Sequence, residues 1–322
     1  MSYFITGGTG FIGRHLIQKL LARPGTIHVL VRKSSKDKFD ALLAQMGFDP
    51  KRVVAVYGDL GKPRLGLSPT QVKQLAGKVK HLFHLAAIYD LTADEESQIR
   101  ANVDGTKHAM QLGVAVKAGC FHHVSSIAAA GLYPGVFKED MFDEAEGLDD
   151  PYFRTKHDSE GMVRREYPRP YRIYRPAIVL GHSQTGEIDK IDGPYYFFRL
   201  IKRMRALLPQ WVPTIGIEGS RLNMVPVDYV ADAMDWIAHK PGLDGHCFHL
   251  TDPAPQRVGE ALNTFARAAN APQMTMRVDA RMFAFVPPMV RGAIFNLPPV
   301  KRFTNMMLRD LGIPRQVPKY IN

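Results

Sequence analysis

Residues Ile5–Leu16 read ITGGTGFIGRHL, with glycines at Gly7, Gly10 and Gly13 between a short apolar run and an amphipathic one. Such a spacing belongs where a strand ends and a helix begins. Gly7 permits a tight turn out of a strand at Tyr3–Thr6. Gly10 lets backbone approach a pyrophosphate, and Gly13 lets the new helix lie close on the strand. The helix expected over Phe11–Leu21 is apolar at Ile12, Leu16, Ile17, Leu20 and Leu21. Its first turn offers unpaired N–H groups and a positive dipole end to an anion. Thr6, Gly7, Gly10, Phe11, Ile12 and Gly13 are therefore the expected cradle of a dinucleotide's phosphates. A glycine triplet alone is weak evidence; it gains weight from the chain that follows.

That chain repeats the strand–helix unit. Strands are expected at Thr26–Val31, Val53–Tyr57, His81–Leu85, Phe121–Ser125 and Arg172–Arg175. Helices are expected at Thr70–Ala76, at Asn102–Ala118, and from the stretch DPYFRTKHDSE beginning at Asp150. This alternation predicts an α/β fold, a doubly wound parallel sheet with helices on both faces. Regularity fades after Gly181, where Pro and Gly become frequent, and returns in a helix at Pro226–His239. We expect a dinucleotide-binding domain over 1–180, rejoined by 222–250. A smaller C-terminal substrate-binding region would comprise 181–221 and 251–322. Gly193–Pro213 is aromatic and basic; Met282–Arg302 is apolar, proline-broken and basic.

The end of the second strand selects the cofactor. Arg32 stands where an acidic residue would grip a ribose 2′-OH, and Arg32 with Lys33 suits a 2′-phosphate, which points to NADPH. Asp59 and Leu60 follow the third strand, placed to meet adenine. His84, Ala86 and Ala87 end the fourth, where the nicotinamide ribose should lie.

A net charge of +11 over 322 residues implies anionic partners. The basic residues are dispersed and no nucleic-acid reader motif is visible, so nucleic acid is not expected. Arg199, Lys202, Arg203, Arg205, Arg291, Lys301 and Arg302 rim apolar segments. They suit an acyl chain with an anionic head or a bilayer surface, with a merely solvated face the equal competitor. Two cysteines, Cys120 and Cys247, lie far from any ligand-spaced partner. Neither a disulfide nor a metal site is expected. Cys120 reads as a buried free thiol rather than a thioester nucleophile. With no signal peptide and no apolar run near ~18 residues, a cytoplasmic protein with peripheral membrane contact is expected.

The chemistry lies in VSSIAAAG and in DPYFRTKHDSE. Ser125 and Ser126 close the fifth strand at the sheet's carboxyl edge. Tyr152 and Lys156 are four apart and share a helix face. Hydride addition to a carbonyl builds an alkoxide that needs a proton. A tyrosine of ordinary pKa ~10 gives one up too slowly near neutrality unless a lysine ammonium lowers that pKa. A serine hydroxyl can hold the carbonyl oxygen.

TGGTGFIG, GDL, HLAA, VSSIAAAG, YFRTK and RPAIVLG together resemble the extended short-chain dehydrogenase/reductases, which have a Rossmann sheet. The resemblance implies Ser126, Tyr152, Lys156 and Asn102 as the catalytic set, and Arg175-Pro176 as a cofactor-side segment. Over essentially the whole chain, FKEDMFDEAE, DGPYYFF, LPQWVPTIGIEG, LNMVPVDYVADAMD and LPPVKR resemble the N-terminal reductase module of two-domain bacterial fatty acyl-CoA reductases. Those proteins carry a second reductase domain downstream. The implied reaction is NADPH-dependent reduction of a fatty aldehyde to the alcohol, with fatty acyl-CoA as the other candidate substrate. The rivals are another carbonyl of steroid or dihydroflavonol type, and a redox sensor that binds NADP without turnover.

Overall fold

A computed structural model describes residues 2–88, 94–189, 193–218 and 221–279. In chain order the strands and α-helices are β1 Ser2–Thr6, α1 Phe11–Leu20, β2 Thr26–Val31, α2 Lys36–Met46, β3 Val53–Tyr57, α3 Pro69–Leu75, β4 Val79–His84, α4 Glu95–Gln98, α5 Gly105–Ala115, β5 Cys120–Val124, α6 Pro151–Glu166, β6 Tyr171–Pro176, β7 Ile178–Leu180, α7 Phe197–Leu207, β8 Thr214–Glu218, β9 Arg221–Leu222, β10 Met224–Pro226, α8 Val227–His239, β11 Cys247–Leu250, β12 Gln256–Arg257, α9 Val258–Ala268 and β13 Met274–Asp279. The described residues divide into two compact units, one within 1–188 and 225–251, the other within 189–224 and 252–279.

The first unit is a seven-stranded sheet in the order β11-β6-β5-β4-β1-β2-β3. Every neighbouring pair is parallel. The strand order reverses at β1 and β4, the switch point where Rossmann sheets open a crevice beyond their carboxyl ends. Alternation along the strands fills two cores. Tyr3 and Ile5 of β1 join Leu16, Ile17 and Leu20 of α1, Phe39 and Leu43 of α2, and Met234 of α8. Phe4, pointing the other way, joins Leu75 of α3, Leu112 of α5 and Val163 of α6. Because both faces are covered, the strands read as near-continuous apolar runs. Each fully buried Leu or Ile contributes roughly 1.5–3 kcal/mol.

Two expectations need correcting, and one helix was not expected. The fourth strand runs Val79–His84 and stops before Leu85. The helix expected from Asn102 begins as a π-helical coil at Ile99–Asp104, and α5 proper starts at Gly105. Lys36–Met46, too charged to show a clear apolar stripe, is a helix that buries only Phe39 and Leu43. The second unit pairs β13 with β8 in parallel and packs α7 against α9. Met282–Arg302, with its cations Arg291, Lys301 and Arg302, lies outside the described residues. Among the described residues, no helix is long and apolar enough to cross a membrane.

Candidate active site

The phosphate loop is built as its glycines require. Gly7 adopts φ +72°, and a Cβ there would sit 2.7 Å from the Ala86 nitrogen. A Cβ on Gly13 would sit 2.3 Å from the Gly7 carbonyl oxygen. The loop therefore lies flat on the end of β4 and α1 lies close on the loop. Gly10 precedes α1 with no capping side chain, and the first turn holds no acidic residue. The N–H groups of Phe11, Ile12 and Gly13 thus open an anion site at the switch point. This cradle fits a dinucleotide pyrophosphate. Arg32 and Lys33 are exposed just past β2. Asp59 Oδ1 accepts the Gly61 N–H at 3.0 Å, and the Leu60 side chain lies against Gly105.

The structure parts the two serines. Ser125 Oγ donates to Glu160 Oε2 at 2.7 Å and is 3% exposed. Ser126 caps a 3-10 turn at Ile127–Ala130, its Oγ accepting the Ala128 N–H at 3.1 Å. That bond uses a lone pair and keeps the Ser126 hydroxyl proton for a substrate oxygen. His157 Nδ1–H donates to the Ala129 carbonyl at 3.1 Å. Its ring stacks on Phe142, centroids 4.2 Å apart, so the serine turn is fastened to α6.

Helix α6 starts at Pro151, with Asp150 accepting the Tyr152 N–H at 2.9 Å. Tyr152, in the first turn, is half-buried, and Lys156, one turn on, is buried. Burial pushes the Lys156 pKa down to about 8, against the Glu160 carboxylate, which raises it. Glu160 lies a further turn along, on the same face, and sequence reasoning missed it. Arg175 grips it from β6 with Nε at 3.0 Å and Nη2 at 2.6 Å. Arg164 Nε adds a contact at 2.8 Å. Burial drives the Glu160 pKa up, but these cations and Ser125 outweigh it and hold the carboxyl below its usual value. The four-residue rhythm Tyr152, Lys156, Glu160 was the available signal. An acid on the face of a reactive pair needs a buried partner.

Arg175 is fully buried and paired with Glu160, so its guanidinium is not offered to a cofactor. The His84 side chain, expected beside the nicotinamide ribose, is 2% exposed. It lies under the cleft between Thr6 and Thr106. Ala86 and Ala87 are half-buried beyond it. Asn102 accepts the Ile88 N–H at 2.7 Å and donates to the Ile88 carbonyl at 3.0 Å. Its side chain thereby braces the segment after β4. Cys120 is buried at the start of β5, and burial pushes its thiol up to about 12, which removes it as a nucleophile. Among the described residues no cluster could hold a metal.

An NAD-binding family model described as "male sterility protein" matches residues 5–234. A non-canonical nonribosomal peptide synthetase of Cladobotryum sp. is 31% identical over 84% of this chain. An aldehyde reductase of Aspergillus flavus is 29% identical over 78% of it. The matched parts are 28% and 26% of those proteins, so the chain spans about a quarter of their length. Among solved structures, the terminal R domain of the myxalamid PKS-NRPS biosynthetic pathway superposes with a TM-score of 0.72. It is 25% identical, covering 95% of this chain and 78% of that one.

Proposed function

Since the chain belongs to the male sterility protein family, an NAD(P)-binding branch of the extended short-chain reductases, we propose that it is an NADPH-dependent reductase of long-chain fatty aldehydes. The observation that carries this reading is the placement of Tyr152 and Lys156 one turn apart on α6, with the Ser126 hydroxyl at the carboxyl edge of β5. A nicotinamide dinucleotide held in this cradle would supply the hydride for the carbonyl carbon. Ser126 donates a hydrogen bond to the carbonyl oxygen and fixes its direction. Tyr152 transfers its phenolic proton to that oxygen, and the Lys156 ammonium stabilises the phenolate left behind. The Gly7–Gly13 cradle would hold the pyrophosphate, and Arg32 with Lys33 would meet the 2′-phosphate.

A fatty acyl thioester is the second reading, suggested by sequence motifs such as DGPYYFF and LNMVPVDYVADAMD. A bilayer contact fits the exposed flank of α7, where Arg199, Lys202 and Arg205 accompany exposed Phe198 and Leu207, with Trp211 just beyond. The discriminating experiment follows NADPH oxidation with a long-chain aldehyde, its acyl-CoA, and a steroid ketone. Turnover of aldehyde alone supports the first reading, and turnover of both acyl substrates the second. NADPH binding with no acyl turnover contradicts both.

A further inference from the structure

We propose that His84 is a positioning residue, the central link of one hydrogen-bonded line running from the strand under the phosphate loop to the backbone of Tyr152. The inference rests on Tyr152 and Lys156 being the reacting pair.

The line begins at the Ala86 N–H, which donates to Thr6 Oγ1 at 3.3 Å. Thr6 Oγ1 lies 2.7 Å from His84 Nδ1, and His84 Nε2 lies 3.0 Å from Thr106 Oγ1. Thr106 donates to the Asn102 carbonyl at 2.6 Å. Asn102 Nδ2 donates to Thr155 Oγ1 at 3.1 Å, and Thr155 donates to the Tyr152 carbonyl at 3.2 Å. Thr6, His84, Asn102, Thr106 and Thr155 are each at most 2% exposed.

The protons can be placed by counting. A hydroxyl has one proton to give. Thr106 gives its proton to the Asn102 carbonyl, so it accepts from His84, which carries its proton on Nε2. The bare Nδ1 accepts from Thr6, and the Thr6 oxygen takes the Ala86 N–H. The other tautomer would set a bare Nε2 against an oxygen whose proton is engaged. An imidazolium would leave the Thr6 proton without its acceptor. Burial drives the His84 pKa well below its usual value, with the His123 and Lys156 charges adding to it, so the neutral ring is retained.

The line joins elements that must keep register for hydride transfer. Thr6 ends β1 just before Gly7. Asn102 sits in the π-helical coil before α5, where its side chain also pins Ile88. Thr155 neighbours Lys156 on α6. The wider π coil turns Asn102 inward while Thr106, four residues on, caps its carbonyl. Such a line fixes the distance between the cradle and the proton donor. Displacements near 1 Å at that place cost on the order of 100-fold in rate.

Two measurements test it. Nitrogen-15 histidine NMR of the resting protein, with His84 assigned through His84→Asn, should show the Nε2–H tautomer with no titration between about pH 5 and 8. An Nδ1–H tautomer or a titrating ring would overturn the line. This reading needs no substrate, so it stands apart from any failure of the aldehyde assay. In kinetics, Thr106→Val should lower kcat on the order of 10- to 100-fold while NADPH affinity holds, and Thr106→Ser should restore the rate. Wild-type kcat in Thr106→Val, or equal impairment of the Val and Ser variants, would refute a positioning role.

Discussion

Replacing Glu160 by glutamine tests the buried support of the reactive face in two ways at once. The side chains of Glu160 and Arg175 are both 0% exposed. Removing one partner of a buried pair leaves the other charge uncompensated and costs about 3–5 kcal/mol. Glutamine keeps the shape, and Arg175 retains the Lys138 and Met141 carbonyls. The loss should therefore fall near the lower end, about 3 kcal/mol by urea denaturation. The second effect is catalytic. Burial lowers the Lys156 pKa to about 8, and the Glu160 carboxylate opposes that fall. Lysine is charged below its pKa, so the carbonyl-reduction rate should drop as pH rises through about 8. Glu160→Gln removes the opposing charge, so the drop should begin at lower pH. The pH profile of kcat/KM reports groups of the free enzyme and is the assay to use. A limb that stays in place or moves upward would refute the electrostatic argument. A stability loss below about 1 kcal/mol would show that the pair behaves as a solvated one.

Gly13→Ala should abolish NADPH binding in fluorescence titration while the protein stays folded, because its Cβ would lie 2.3 Å from the Gly7 carbonyl; wild-type affinity would contradict the close-packed loop. Stability should fall on acidification, since burial above all lowers the pKa of His81 to about 4 and of His123 to about 3. Both lie below the unfolded value of ~6.5, so the stability is complete above that pH and is lost as pH drops toward the folded values, by up to ~1.4 kcal/mol per unit per ring. Urea midpoints equal at pH 7 and 5 would contradict this. Among the described residues neither buried His123 ring nitrogen has a hydrogen-bond partner, so His123→Leu should hold or raise stability at pH 7 and flatten the acid loss. Arg32→Asp should cut the NADPH preference over NADH by about 10- to 100-fold in kcat/KM, as expected for a lost charge-assisted contact; an unchanged ratio would remove Arg32 from the 2′-phosphate site.

Much of the sheet was legible because its strands are buried on both faces. Thr26–Val31, β-branched or apolar except at His28, and Val53–Tyr57 have the bounds expected of them. The glycine loop was legible because Gly7 and Gly13 each meet backbone that no side chain could share. What escaped notice lacks a local signature. Helix α2 opens on the charged stretch KDKFD, and β11, CFHL, is four residues that only β6 makes a strand. Arg172 and Arg175 look like surface residues in sequence. Their burial depends on Asp244 and Glu160, 72 and 15 positions away. His84 invited a cofactor role by its place at a strand end; Thr106, on another element, takes it inward. Tertiary pairing decides such positions, and no window along the chain contains it.

The central claim is that Tyr152 gives the proton that completes carbonyl reduction. It is tested most directly by NADPH oxidation with a long-chain aldehyde in wild type and in Tyr152→Phe, with NADPH affinity measured alongside. The account predicts a rate loss on the order of 100- to 10,000-fold with cofactor binding intact. A phenylalanine variant that turns over at the wild-type rate would contradict it.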